Sequence, residues 1–249
     1  GNGFLVSSYS NEQFLPERRQ FGLQLDFDGA GADFPYLGVE TFVSNLASFD
    51  LFGTRLFVRP LNDLSLPLLP LLEVGATIVL DTNPVYHVDK NPDSPYYKGA
   101  DPAGLPTVES DDTVIAYGFD LAQPLLQRRM ISLTAFSDVA FENEAVGGMV
   151  GAGGSALRVL SYAAQLRFLG ENFIPAYFDS AYDLRRMENY LVYKAEEKVL
   201  KQRLGWYSQL GLNVLRELLL FQITMSGPIG SDTGTYPELE GLFRVNPGL

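Results

Sequence analysis

The chain has 249 residues, enough to bury a sizeable core in one domain or two, and no cysteine, which excludes disulfides, thiolate metal sites and a catalytic thiol. Its formal charge of −12 argues against nucleic acid, whose phosphates need a basic surface. No run of about 18 apolar residues occurs, which excludes a transmembrane helix but not a membrane barrel, whose strands need only about 9–11 residues, half of them polar.

Candidate strands follow in chain order, each bounded by turn residues. Segment 3–8 comes first. Segment 20–27 sets Phe21, Leu23, Leu25 and Phe27 against Gln20, Gln24 and Asp26. Segment 36–44 alternates less regularly, and 51–60 places Phe52, Leu56 and Val58 opposite Arg55 and Arg59. Segment 71–81 is the cleanest: Leu72, Val74, Ala76, Ile78 and Leu80 share one face, with Glu73, Gly75, Thr77 and Asp81 on the other. Segment 113–121 sets Ile115, Tyr117, Phe119 and Leu121 against Gly118 and Asp120. Segments 130–141, 157–168, 173–182, 204–215, 218–226 and 238–245 complete about twelve strands. Within 157–168, Leu160, Tyr162, Leu166 and Phe168 oppose Ser161, Gln165 and Arg167.

The connections carry a second signal. Short turns are expected at 123–129, 169–172 and 216–217, and long polar loops at 82–112, 142–156, 183–203 and 227–237. In an up-and-down meander alternate connections share an end, so the long loops all project from one end, as in outer-membrane barrels. Segment 183–203 has helical spacing, with Met187, Tyr190, Leu191, Ala195 and Val199 three or four residues apart. It reads as a short amphipathic helix inside a long loop, covering a barrel mouth or folding inward. No interdomain linker is read, so 1–249 forms one domain.

Alternation alone fits a soluble sandwich as well as a barrel in lipid. The polar faces favour the barrel because they mix small and charged residues, Gly75, Gly118 and Gly211 with Arg55, Arg59 and Arg167. The hairpins 205–229 (GWYSQLGLNVLRELLLFQITMSGPI) and 118–141 (GFDLAQPLLQRRMISLTAFSDVAF) resemble porin-like outer-membrane β-barrels of double-membraned bacteria, with a looser likeness to spirochaete barrels. That family usually ends on a terminal aromatic residue, whereas this sequence ends Asn246-Pro247-Gly248-Leu249, which leaves completeness at the C-terminus open. The resemblance implies a bilayer-embedded protein of the bacterial outer membrane, with envelope proteins or further copies of itself as partners.

Three motifs are weighed against bland readings. Gly151-Ala152-Gly153-Gly154-Ser155-Ala156 matches a dinucleotide fingerprint, but an alternating strand follows it instead of a helix, so a flexible loop is expected. Asp89, Asn91 and Asp93 begin like a calcium loop, but Ser94 stands at the turn-glycine position and Ala100 at that of the bidentate glutamate. His87, the only histidine, has no distinctive serine motif beside it, so no enzyme and no cofactor are expected.

The expectation is an all-β, antiparallel up-and-down transmembrane β-barrel of about twelve strands, with long loops and one short helix at one end. Its function would be that of a passive channel for small polar solutes. Arg55, Arg59 and Arg167 would face Asp26, Glu73, Asp81, Asp120 and Asp138 across the lumen and set a transverse field. The alternatives are a closed barrel whose charges pair with each other and whose loops bind an envelope partner, or a soluble β-rich binding module.

Overall fold

A chain that alternates apolar and polar side chains separates them onto the two faces of a sheet. The computed structural model, which describes residues 5–7, 21–32, 34–47, 49–84, 113–179, 182–214, 219–230 and 237–245, turns that pattern into eleven strands. They are β1 (Leu23–Asp28), β2 (Leu37–Val43), β3 (Leu51–Val58), β4 (Glu73–Asp81), β5 (Val114–Arg128), β6 (Ile131–Glu142), β7 (Ala145–Ala156), β8 (Leu160–Leu169), β9 (Arg203–Val214), β10 (Leu219–Pro228) and β11 (Glu238–Val245). One α-helix, α1 (Tyr182–Lys194), lies between β8 and β9. Every strand pairs antiparallel with its neighbours in chain order. Pro124 cannot donate to the ladder, and the register of β5 against β6 shifts between Pro124 and Leu126.

The sheet is not closed: among the described residues no ladder joins β1 to β11. In an odd-numbered meander the first and last strands run in the same direction, so these two edges cannot form the antiparallel pair expected of a closed twelve-strand meander. Every residue of β1 is exposed, on both of its faces.

The two faces of the sheet differ in chemistry and in burial. On β4, Val74, Ala76 and Ile78 are exposed, whereas Gly75, Thr77, Val79 and Asp81 are buried. On β5, Phe119 is 56% exposed and its neighbour Asp120 only 6%. The apolar set of the sequence therefore points outward and the polar set inward.

The inner face is covered by the chain itself. Leu5 and Val6 are buried there with Phe173, Tyr177, Phe178, Tyr182 and Tyr190, against Leu51, Val79, Val114, Ala116, Ala140, Met149 and Leu169 of the sheet. Helix α1 turns Tyr182, Arg186 and Tyr190 inward, each four residues after the last. Asp183 in its first turn and Lys194 in its last complement the helix dipole.

The element list departs from the sequence expectation in three places. The glycine-rich segment 142–156 is not a loop: it is mostly β7, joined to β6 by Asn143-Glu144 alone, and Asn143 is left-handed at φ 52°. Of segment 173–182, the described residues 173–179 form no strand and Tyr182 begins α1; the consecutive Tyr177 and Phe178 are both buried, which the alternation of a strand with one exposed face does not allow. Within 3–8, the described residues make only a single parallel bridge, Ser7 to Phe178. Two strands fewer and one more give eleven.

The sorting of loops by length changes as well. Connections 82–113, 170–202 and 229–237 share one end, but the two-residue turn 143–144 lies there too. At the other end 129–130 and 157–159 are tight, while 59–72 is not. The helix is also shorter than 183–203, ending at Lys194.

Candidate functional site

The largest group of charges on the inner face grows from three inward positions on and just beyond β3. Arg55, Phe57 and Arg59 alternate with outward Leu56 and Val58. The Phe57 ring lies between the two guanidinium groups, 4.8 Å from that of Arg55 and 5.1 Å from that of Arg59. Gly38, paired with Phe57 on β2, makes room for the ring: a Cβ there would fall 1.9 Å from its Cζ.

Arg55 donates from Nε (3.0 Å) and Nη2 (2.5 Å) to the two carboxylate oxygens of Asp120, and Glu40 (3.6 Å) and Glu73 (3.9 Å) stand close by. Arg59 grips Asp28 with both Nη groups at 2.6 and 2.8 Å and reaches Glu73 Oε1 at 2.7 Å. Both are bidentate forks, the strongest geometry for this pair. Two cations thus hold four carboxylates. Gly75, beside Asp120, would place a Cβ 2.4 Å from Oδ2, so the carboxylate occupies the space a side chain would take.

A second group ties the covering segments to the wall. Asp81, fully buried at the end of β4, accepts a 2.5 Å hydrogen bond from the Tyr182 hydroxyl and one of 2.8 Å from the Asn83 N–H. Arg186 Nε stands 2.7 Å from Asp81 Oδ2 in an ion pair. Burial pushes the Tyr182 hydroxyl well above the usual phenol range, so it stays a donor to Asp81. Burial pulls Arg186 down, but Asp81 and Tyr182 outweigh it and leave it above its ordinary value.

Asp138 Oδ2 accepts the Leu5 N–H at 2.8 Å, and Glu142 Oε2 accepts the Ile174 N–H at 2.9 Å. Each leaves its second oxygen buried without a hydrogen-bond partner among the described residues. The Ala176 N–H donates to Leu5 O at 2.8 Å, which joins the two covering segments.

The eight candidates from the sequence therefore divide. Arg55, Arg59, Glu73 and Asp120 share one network. Asp81 and Asp138 hold the covering segments. Arg167 stands apart on β8, with its Nε donating to Gln165 Oε1 at 3.1 Å and its guanidinium 4.2 Å from the Tyr207 ring. Asp26 lies on the exposed β1 and accepts from Gln24 at 2.9 Å. His87 and the calcium candidates Asp89, Asn91 and Asp93 lie outside the described residues. The dinucleotide-like motif at 151–156 is strand, followed by β8 and no helix.

The sequence reading missed Asp28, Glu40, Glu142 and Arg186. Glu40 and Asp28 lie on strands whose alternation pointed inward, a usable signal. Arg186 was legible only by taking Tyr182, Arg186 and Tyr190, four residues apart, as the buried stripe, which a rule seeking apolar residues passes over. Among the described residues no group of three or more His, Cys, Asp or Glu is placed to hold a metal ion. The arrangement can pair charges, set a field across the interior and anchor the covering segments.

No protein-family model, no curated protein and no solved structure matches the chain.

Proposed function

We propose that the chain is an integral β-barrel protein of the bacterial outer membrane, of porin-like type. It is a passive conduit for small polar solutes that residues 5–7, 173–179 and 182–194 plug at the α1 end. The observation that carries this reading is the inverted burial of the sheet. Leu56, Val74, Ile78, Tyr117, Phe119, Leu121, Leu166 and Phe168 face outward, while charged side chains and glycines face in. In water such a continuous apolar exterior is unfavourable, and in a bilayer it is required. Strands β4 to β10 have 9 to 15 residues, matching the length needed to cross. Lipid also demands that the free edges of β1 and β11 be paired, so closure of that seam belongs to the proposal.

The dry packing of Leu5, Val6, Phe173, Tyr177, Phe178 and Tyr182 favours a second reading: a permanently closed barrel whose exposed ends bind an envelope partner. Two measurements separate the readings. Purified protein should need detergent, migrate faster on gels before heating than after, and insert into vesicles; recovery in a detergent-free soluble fraction removes both membrane readings. Inserted protein should then give conductance steps in planar bilayers, with ion selectivity altered by Arg55→Glu. Folded, inserted protein that never conducts leaves the closed barrel.

A further inference from the structure

We propose that Arg167 is a binding site for an oxyanion, a carboxylate or phosphate group carried by a small solute. As a statement of solute class this rests on the conduit reading above. The contrast among the interior arginines carries it. Arg55 has Asp120, Glu40 and Glu73 around it, Arg59 has Asp28 and Glu73, and Arg186 has Asp81. Arg167, on the same inner face, has no carboxylate within 4.0 Å among the described residues; Arg203, at the start of β9 opposite Leu169, has none either, but of the two only Arg167 lies against an aromatic ring there. Its one hydrogen bond there is made by Nε. Guanidinium cannot lose its proton under any ordinary condition, so a half-buried arginine without a counter-charge is an unfavourable arrangement that an anion would relieve.

The surroundings hold the group in one orientation. Gln165, two residues earlier on the same face, accepts the Nε–H hydrogen bond through Oε1, and the Tyr207 ring lies against the guanidinium. Tyr207 is itself fixed by its hydroxyl, which donates to Gln209 Oε1 at 3.0 Å. Both Nη groups are left without a hydrogen-bond acceptor among the described residues, and two parallel N–H vectors match the two oxygens of a carboxylate or phosphate.

There is room beside them. Gly205 is the cross-strand partner of Arg167, and among the described residues only one atom, Gly227 O at 3.2 Å, lies within 4 Å of where a Cβ would stand. Met149, the partner on the other side, is buried and apolar, and it separates Arg167 from Asp138 on the next strand over. On the inner side the wall from β8 to β10 carries Gln165, Gln209, Thr224 and Ser226, with Arg203 at the start of β9 opposite Leu169 and Glu240 of β11 beside Thr224.

The test uses the full chain folded in detergent. Its thermal midpoint is followed against sodium phosphate and sodium acetate, each compared with sodium chloride at matched ionic strength. The site predicts a saturable rise with phosphate, acetate or both, above the chloride control; the anion that responds identifies the class. Arg167→Gln should weaken the response at least about tenfold, and Arg167→Lys by less, since it keeps the charge and loses the fork. Gly205→Leu should abolish the response with the arginine in place, by filling the flank, and so decides the matter if the glutamine variant does not fold. A response in Arg167→Gln and Gly205→Leu as strong as in the wild type, or no response above chloride in the wild type, overturns the site. Binding without any bilayer conductance keeps the site and removes the conduit. Conductance whose anion preference survives Arg167→Gln keeps the conduit and removes the site.

Discussion

Two stretches of the inner wall, β3 to β7 and β8 to β10, are built on the same alternation but treated differently by the chain. The first is covered: Leu51, Val79, Val114, Ala116 and Ala140 are buried under residues 5–7, 173–179 and 182–194, and its arginines are neutralised. The second keeps half-buried polar residues, Tyr207, Gln209, Thr224 and Ser226, and two guanidinium groups, of Arg167 and Arg203, that no carboxylate neutralises among the described residues. Amphipathic alternation therefore decides which way a side chain points, while segments remote in sequence decide whether that side chain is dry. A solute entering the interior would meet the second wall.

The most damaging way to break this contrast is Asp81→Asn. It leaves Arg186 buried opposite a neutral amide, and removing one partner of a buried pair costs about 3–5 kcal/mol. Urea unfolding of the detergent-folded protein should show that loss, and in bilayers the variant should conduct more often because α1 is less firmly held. On the other wall Gln209→Ala, which removes only the half-buried acceptor of Tyr207, should cost no more than about 1 kcal/mol. Equal losses at the two sites would mean that the walls do not differ energetically.

Next in size is a test of the outer face. Phe119→Arg places a cation at an exposed apolar position, 56% accessible. In water a surface substitution of this kind stays within about 0.5 kcal/mol. At the midplane of a bilayer it costs about 2–4 kcal/mol. The difference in unfolding free energy between Phe119→Arg and the wild type, both measured in lipid vesicles, gives this cost, and a near-zero value would contradict a lipid-facing Phe119.

The inner and outer faces were legible in the sequence because the two-residue period belongs to the strand itself. Glu73, Thr77 and Asp81 point inward on β4 as their alternation requires. What the sequence could not convey was register. Arg55 pairs laterally with Thr77, and through it with Gly118, so its fork to Asp120 runs diagonally across two strands. Strand β7 was hidden for a related reason: Gly147, Gly148, Gly151, Gly153 and Gly154 carry no hydropathy signal. At Gly147 the small residue is set by a ring from outside the sheet, since a Cβ would fall 2.3 Å from Phe173 Cε1. Gly147→Val should thus cost about 1–3 kcal/mol by overpacking and loosen the covering segment, seen as faster proteolysis of the 170–202 connection. Gly241→Val in β11, where no atom of the described residues lies within 4 Å of a Cβ, should be tolerated.

The smallest effect concerns the hairpin at which the covered wall gives way to the open one. Strands β7 and β8 are joined through Leu157 and Arg158, both left-handed, at φ 55° and 62°. Left-handed backbone costs an L-residue roughly 1–2 kcal/mol, whereas glycine adopts it freely but loses more entropy on folding. Arg158 is exposed, so its side chain offers little packing to set against that cost. Arg158→Gly should therefore stabilise the fold by about 0.5–1 kcal/mol, read as a higher urea midpoint with an unchanged slope. Because the turn fixes the register of β8, and with it the height of Arg167 opposite Met149 and Gly205, the gain should come with no change in the oxyanion response. A lost response would show that the turn, and not the Tyr207 stack, positions the guanidinium.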